Sequence, residues 1–319
     1  MPTRQGMLPL VVKRISTQST DIVSLELADP TGADLPAWQP GAHIDVQLVT
    51  RQQRQYSLCG DPADRSTYRV AVLREELSRG ASMYIHSYLG EGRTVYASAP
   101  RNLFPVLPAE RYLLLAAGIG ITPILPMATA LAAAGADWRM HFAVRDDAHL
   151  PFGGEIAELG QRVTINSRDR AGRLDLVDLL AEPRDDLAVY SCGPARFTEA
   201  VEAAMAHWPA GKHWPAGNLH LERFEPRPVV ARPNEPFTVR LARSGRSVEV
   251  PAEQTMLHAL NARDVAVPGS CLRGICGSCV VRVLDGVVEH RDSLTSGDET
   301  GVMYPCVSRA LGGEITVDL

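Results

Sequence analysis

Cys271-Leu272-Arg273-Gly274-Ile275-Cys276-Gly277-Ser278-Cys279 decides the C-terminal fold of this chain. Its three cysteines stand as C-x4-C-x2-C, and Cys306 follows in Tyr304-Pro305-Cys306-Val307-Ser308-Arg309. That is the plant-type spacing for four thiolates around a [2Fe–2S] cluster. Gly269, Ser270, Gly274, Gly277 and Ser278 keep the loop small, so its backbone can wrap closely and aim N–H groups at sulfur. A structural zinc site is the plainer alternative, but such sites more often pair two C-x2-C knuckles, and only Cys276 and Cys279 form one. A cluster of this kind moves one electron at a time. This end of the chain therefore predicts electron transfer.

The rest of the chain is long enough for more than a ferredoxin-sized unit. Its 319 residues predict two or three domains. A hydrophobic content of 45% is ordinary for a globular protein, and a net charge of −5 offers no basic field for nucleic acid or anionic lipid. No stretch approaches the ~20 apolar residues of a membrane span, and Met1-Pro2-Thr3-Arg4-Gln5 has no signal-peptide core. With the other cysteines, Cys59 and Cys192, isolated in sequence, a reducing cytoplasmic setting is expected.

Upstream, a proline-studded segment, Glu225-Pro226-Arg227-Pro228 to Pro233-Asn234-Glu235-Pro236, reads as a semi-rigid spacer. Before it, the continuous apolar run Tyr112-Leu113-Leu114-Leu115-Ala116-Ala117 reads as a strand buried on both faces. A glycine turn and an Ala-rich helix over 124–134 follow it, and strands at 141–144 and 187–190 alternate with helices. That alternation predicts a doubly wound α/β domain. Residues 8–105 instead alternate apolar and polar side chains, as in Ile22-Val23-Ser24-Leu25-Glu26-Leu27 and His43-Ile44-Asp45-Val46-Gln47-Leu48. Period two broken by Gly and Pro predicts an antiparallel barrel.

Three further motifs carry chemistry. Gly118-Ile119-Gly120-Ile121-Thr122-Pro123 joins the buried strand to the helix; its glycines and the helix N-terminus suit a pyrophosphate, with Gly118, Gly120, Thr122 and Pro123 as candidate contacts. A bare strand-to-helix connection is the alternative, since Pro123 stands where the dinucleotide fingerprint has its third glycine. Cys192-Gly193-Pro194 ends a later parallel strand, the rim where a flat nicotinamide could lie. In Arg54-Gln55-Tyr56-Ser57, Arg54 can clamp a phosphate, Tyr56 pack on a flavin ring and Ser57 hydrogen-bond it. Ser78-Arg79-Gly80-Ala81-Ser82, heading a helix expected over 83–89, reads as the other half of that phosphate site through Arg79, Gly80 and Ser82.

In this order, over the whole length, the motifs resemble the phthalate dioxygenase reductase family, which includes the O-demethylase reductases. Pro100-Arg101-Asn102-Leu103-Phe104, Leu221-Glu222-Arg223-Phe224 and Cys306-Val307-Ser308-Arg309 add to the likeness, while Ala81 replaces a family glycine. The resemblance implies an FMN-binding β-barrel at 1–105, an NAD(P)-binding α/β domain at 106–226, a linker at 227–236 and a β-grasp ferredoxin at 237–319. It implies FMN rather than FAD, Phe224 beside the isoalloxazine, hydride transfer near Ser57 and Cys192, and Cys271, Cys276, Cys279 and Cys306 as cluster ligands. The expected partner is a separate terminal oxygenase, Rieske or cytochrome P450; a subunit of a larger dehydrogenase complex is the alternative. NADH-using relatives carry acidic residues after the strand at 162–165, whereas this chain has Asn166-Ser167-Arg168-Asp169-Arg170. Ser167-Arg168 resembles the 2′-phosphate clamp of NADPH-using ferredoxin reductases, and Asp169 remains for ribose hydroxyls. NADH is expected, with NADPH as a second coenzyme. Glu222 is either a hydrogen-bonding group near the flavin or a surface carboxylate, and Trp208 and Trp214 cap a loop or pack at a domain contact.

Overall fold

In a computed structural model, the structure describes residues 6–48, 53–75, 80–206, 214–215, 217–295 and 301–319. Ser78, Arg79 and Trp208 lie outside the described residues. The chain divides into two compact units, with the break between Phe224 and Glu225.

The first unit holds two sheets. Strands β1 (Leu8–Thr17), β2 (Ile22–Ala28), β3 (Ala42–Gln47), β4 (Gln53–Ser57), β5 (Tyr68–Leu73), β6 (Thr94–Ala97) and β7 (Arg101–Asn102) pair antiparallel in the order β4-β3-β6-β1-β2-β5, with β7 on β3. A bridge from Leu58 to Val70 joins the two ends of that order, as a barrel requires. Its core gathers Leu10, Val12, Leu25, Leu27, Ile44, Val46, Tyr68 and Val70. The helix Ala81–Ser87, two residues earlier than expected, adds Ala81 and Ile85. Strand β3 departs from the half-exposed alternation its sequence suggests: all six residues are buried. Its polar face is covered by Arg101, which donates to Asp45 at 2.8 Å, so the buried carboxylate has a cation.

The second sheet is parallel: β8 (Arg111–Ala117), β9 (Asp137–Val144), β10 (Val163–Ser167), β11 (Leu187–Gly193) and β12 (Leu219–Arg223), in the order β10-β9-β8-β11-β12. Helices Ile121–Ala133 and Gly153–Glu158 pack on one face, and Leu176–Leu179 and Ala195–Ala206 on the other. The first of these begins at Ile121, three residues before the Ala-rich run. Pro123 falls in its first turn, where the missing N–H has no intrahelical partner to lose. Barrel residues Ile22, Cys59 and Ala71 share the core of this sheet. Arg69 grips Glu155 with two hydrogen bonds, at 2.8 and 2.6 Å, and lies over the Phe152 ring. Barrel and parallel sheet are thus bound together by apolar packing and by a partly buried ion pair.

The second unit, from Glu225, carries β13 (Phe237–Leu241), β14 (Ser247–Val250), β15 (Val281–Glu289), β16 (Val302–Met303) and β17 (Arg309–Val317), ordered β14-β13-β17-β15-β16. Among the described residues, only the β13–β17 pair of this sheet is parallel. The helix Met256–Asn261, capped by the Thr255 hydroxyl, buries Met256, Leu257, Ala259 and Leu260 against this sheet. A mixed sheet crossed by this helix is the β-grasp arrangement that the family resemblance implies. No helix among the described residues is long and apolar enough to cross a membrane.

Candidate active site and iron–sulfur loop

In the parallel sheet the connection order reverses between β8 and β11, the place where open α/β sheets bind ligands. The glycine turn leaves β8 there. Gly118 takes φ +53° in open space, whereas Gly120 is pressed onto β11: a Cβ on it would lie 2.3 Å from the Cys192 carbonyl oxygen. Gly193 faces the same constraint, with the Ala117 Cβ 2.9 Å from where its own would be. The turn and the β11 rim are therefore in backbone contact. Thr122 is buried, and its hydroxyl donates to the Ile119 carbonyl at 2.9 Å, so it fixes the turn rather than reaching outward.

A cavity of about 550 Å³ opens beside this turn. It runs from Gly118, Ile119 and Pro194 to the ends of β9 and β10, with Asp21, Ile22 and Leu73 of the barrel on its far wall. Arg145, Arg168, Arg173 and Arg196 all line it. Asp169 does not: it lies in the first turn of the short helix Arg168–Ala171, where its carboxylate accepts from the Ser167 hydroxyl. A pocket with glycines at one end and four guanidinium groups about it fits a dinucleotide phosphate chain. The strand end at Ser167 named Arg168. Arg145 and Arg196 follow the ends of β9 and β11, and Arg173 lies farther along the connection that carries Arg168; nothing in the linear sequence marked these three.

Where the barrel meets β12, Ser57 donates from Oγ to Glu222 Oε2 at 3.2 Å. Register pairs Glu222 with Cys192, so the three functional groups of Ser57, Glu222 and Cys192 adjoin. Glu222 is half-buried as a residue, but its carboxyl is desolvated, which pushes its pKa from 4.5 up to about 8 against the lowering effect of the Ser57 bond. Cys192 is fully buried; burial first, and the nearby Glu222 charge second, hold its thiol well above the usual range. Neither group is a surface residue.

Along β4, Gln55 shares a face with Ser57, and its buried Nε2 has no protein partner among the described residues. On the other face, Tyr56 is pushed upward by burial and feels both Arg54 and Glu75. The Glu75 N–H donates to the Ser82 hydroxyl at 3.3 Å. Arg54, Tyr56 and Ser82 are thus gathered about Glu75, although 26 to 28 residues separate the two motifs. Gly80, at φ +97°, turns the chain into the helix that carries Ser82. Phe224 packs part-buried against the core of the parallel sheet. An orphaned buried amide beside a buried hydroxyl suits a ring with polar edges, and the Arg54–Ser82 cluster suits its phosphate. The residues present fit a flavin mononucleotide.

In the second unit the four thiols converge. Cys276 and Cys306 hydrogen-bond to the Cys271 sulfur, which holds it far below the usual thiol range, and Cys306 does the same for Cys279. Backbone N–H groups of Arg273 and Ser278 reach Cys271 Sγ at 3.3 Å and Cys276 Sγ at 3.5 Å. Cys279 and Cys306 are rooted in the apolar core of the sheet. Four convergent sulfurs with N–H donors aimed at them suit a [2Fe–2S] centre.

Comparison with known proteins agrees with this geometry. The 2Fe-2S iron-sulfur cluster binding domain family matches residues 239–311, a span holding all four cysteines. The chain is 37% identical to phthalate dioxygenase reductase of Burkholderia cepacia, over 100% of its own length and 99% of that protein's. It is 38% identical to vanillate O-demethylase oxidoreductase of Pseudomonas putida, over 98% of the chain and all of the relative. Among solved structures, phthalate dioxygenase reductase, described as a modular structure for electron transfer from pyridine nucleotides to [2Fe–2S], superposes with a TM-score of 0.72 at 37% identity, each chain fully covered. An intact type IV self-sufficient cytochrome P450 monooxygenase gives a TM-score of 0.91 at 40% identity, with all of this chain matching 43% of that one. On sequence and fold alike, the chain belongs to the phthalate dioxygenase reductase family, the oxidoreductases that serve as reductase components of oxygenase systems.

Proposed function

We propose that this reductase draws electrons from NADH, and also from NADPH, and hands them through FMN and a [2Fe–2S] centre to a separate terminal oxygenase that docks transiently, in the cytoplasm. The observation that carries this reading is the Ser57–Glu222 hydrogen bond: it ties the flavin-type barrel strand to the β11–β12 rim beside Cys192. When bound, FMN accepts the coenzyme's hydride and the iron–sulfur centre passes electrons on singly.

The chain's own groups bind, orient and exclude. The Gly118–Gly120 turn and the arginine-lined cavity hold the coenzyme's phosphates, and Gly193 lets the β11 rim pack against Ala117 beside the place for its nicotinamide. Ser57, through its hydroxyl, and Gln55, through its unpartnered Nε2, would hold the polar edge of the flavin ring. Glu222, carrying its proton up to about pH 8, holds the Ser57 hydroxyl in place without setting a full negative charge beside the reacting ring. Phe224 would pack against the bound ring. Arg54 and Ser82 take the flavin phosphate. No side chain needs to remove a proton for hydride to move.

Arg54→Ala tests the flavin assignment. It should leave iron content at the wild-type level and weaken flavin retention about tenfold or more, the worth of one charge-assisted bond of ~1.5–3 kcal/mol. Full flavin occupancy after gel filtration of that variant would move the phosphate site elsewhere. Direct reduction of purified Rieske oxygenases and cytochromes P450 by the chain with NADH identifies the acceptor class.

A further inference from the structure

Beneath the cysteine loop lies a carboxylate that the electron path described above does not use. Asp292 has no exposed surface. Its Oδ1 accepts from the Leu294 N–H at 3.0 Å, the Thr295 N–H at 2.8 Å and the Thr295 hydroxyl at 3.0 Å. Its Oδ2 accepts from the Ser308 hydroxyl at 3.0 Å, and His290 Nδ1 lies 3.4 Å away. No arginine or lysine pairs with it among the described residues. Arg291 turns to Glu289 and Asn234, Arg309 to backbone carbonyls, and Arg227 to the Thr295 carbonyl. Neutral donors crowd both oxygens, and they outweigh the desolvation that would otherwise raise its pKa.

The same residue stands at the junction of the two segments that supply the thiols. Ser293 N–H donates to the Gly274 carbonyl at 2.9 Å, and Gly274 lies between Cys271 and Cys276. A Cβ at Gly274 would be 2.9 Å from the Asp292 Cα and 2.7 Å from the Val307 side chain, which is why that position, at φ +70°, has none. Ser308, the donor to Oδ2, is two residues beyond Cys306. One buried anion therefore touches the loop of three cysteines and the segment of the fourth.

We infer that Asp292 is a positioning residue of the iron–sulfur centre whose fixed negative charge holds the centre's reduction potential down. The inference rests on the [2Fe–2S] reading of the four thiols. A centre ligated by four thiolates is already anionic, and each added electron increases that charge. A carboxylate with no arginine or lysine partner in the same low-dielectric interior opposes the addition. Its neutral donors spread the charge without cancelling it, so removing a donor should strengthen the effect and removing the charge should abolish it.

The test is a redox titration of the full chain, following the cluster by its electron paramagnetic resonance signal, with iron content measured alongside. Asp292→Asn keeps the shape and the three donors to Oδ1; it should retain iron and move the midpoint potential to a more positive value. Ser308→Ala keeps the charge and removes a donor; it should move the potential the opposite way. Opposite shifts distinguish an electrostatic role from loosened packing, which predicts no such sign change. An iron-replete Asp292→Asn protein with an unmoved or lowered potential overturns the inference. Should Asp292→Asn lose its iron, the Ser308→Ala titration decides, and an unmoved or raised potential there also overturns it. A wild-type protein without the cluster signal would instead sink the [2Fe–2S] reading on which the inference stands.

Discussion

Glu222 shows how one side chain can carry a consequence that its neighbours in sequence do not announce. Its carboxyl titrates near pH 8 in the folded protein against an ordinary 4.5. A folded-state pKa raised in this way means the protonated form is the one the fold favours. The stabilising contribution is therefore complete below about pH 4.5 and is lost as the pH rises through about 8. Denaturant midpoints measured from pH 5 to 9 should fall across that window in the wild type, and the fall should flatten in Glu222→Gln. An equal slope in both proteins contradicts the assignment. The Leu221-Glu222-Arg223-Phe224 motif marked the neighbourhood but left Glu222 open between flavin site and surface. Ser57 lies 165 residues away, and the register that pairs Cys192 with Glu222 exists only once the parallel sheet has formed.

At the scale of elements, the turn after β8 separates two reasons for glycine. Gly118 needs a left-handed φ but has open space, so Gly118→Ala should cost about 1 kcal/mol. Gly120→Ala drives a methyl into the backbone of Cys192, which cannot swing aside as a side chain would, and should cost about 1–3 kcal/mol or more. Thermal melts of the two variants check the order, and equal effects would mean that the turn does not press on β11. The sequence made this turn legible because close approach of backbones demands glycine. It concealed the helix start, since Pro123 looks like a boundary and is instead a first-turn residue. It also concealed the burial of β3, because His43 and Asp45 are polar and Arg101, which covers them, lies 56 residues beyond Asp45. The arginines of the cavity belong here too, being carried by the connections that follow β9, β10 and β11. Arg168→Ala should lower the NADPH/NADH ratio of kcat/KM about tenfold or more, the loss of one charge-assisted bond of ~1.5–3 kcal/mol to a 2′-phosphate. An unchanged ratio would make Arg168 a solvated rim residue.

At the scale of the whole molecule, the chain divides its labour between a unit that handles hydride and a unit that handles single electrons. The second was the most legible part of the sequence, because four-thiolate ligation fixes both residue type and spacing. The first needed three motifs to be brought together by folding. That division is the central claim, and Cys276→Ser tests it most directly. The variant, purified with its flavin, should lose the cluster's visible absorbance and its reduction of cytochrome c or of an oxygenase, while NADH-driven ferricyanide reduction stays within about twofold of wild type, since a flavin can reduce ferricyanide without the cluster. Loss of ferricyanide reduction together with cluster absorbance, in a folded and flavin-replete protein, would contradict it.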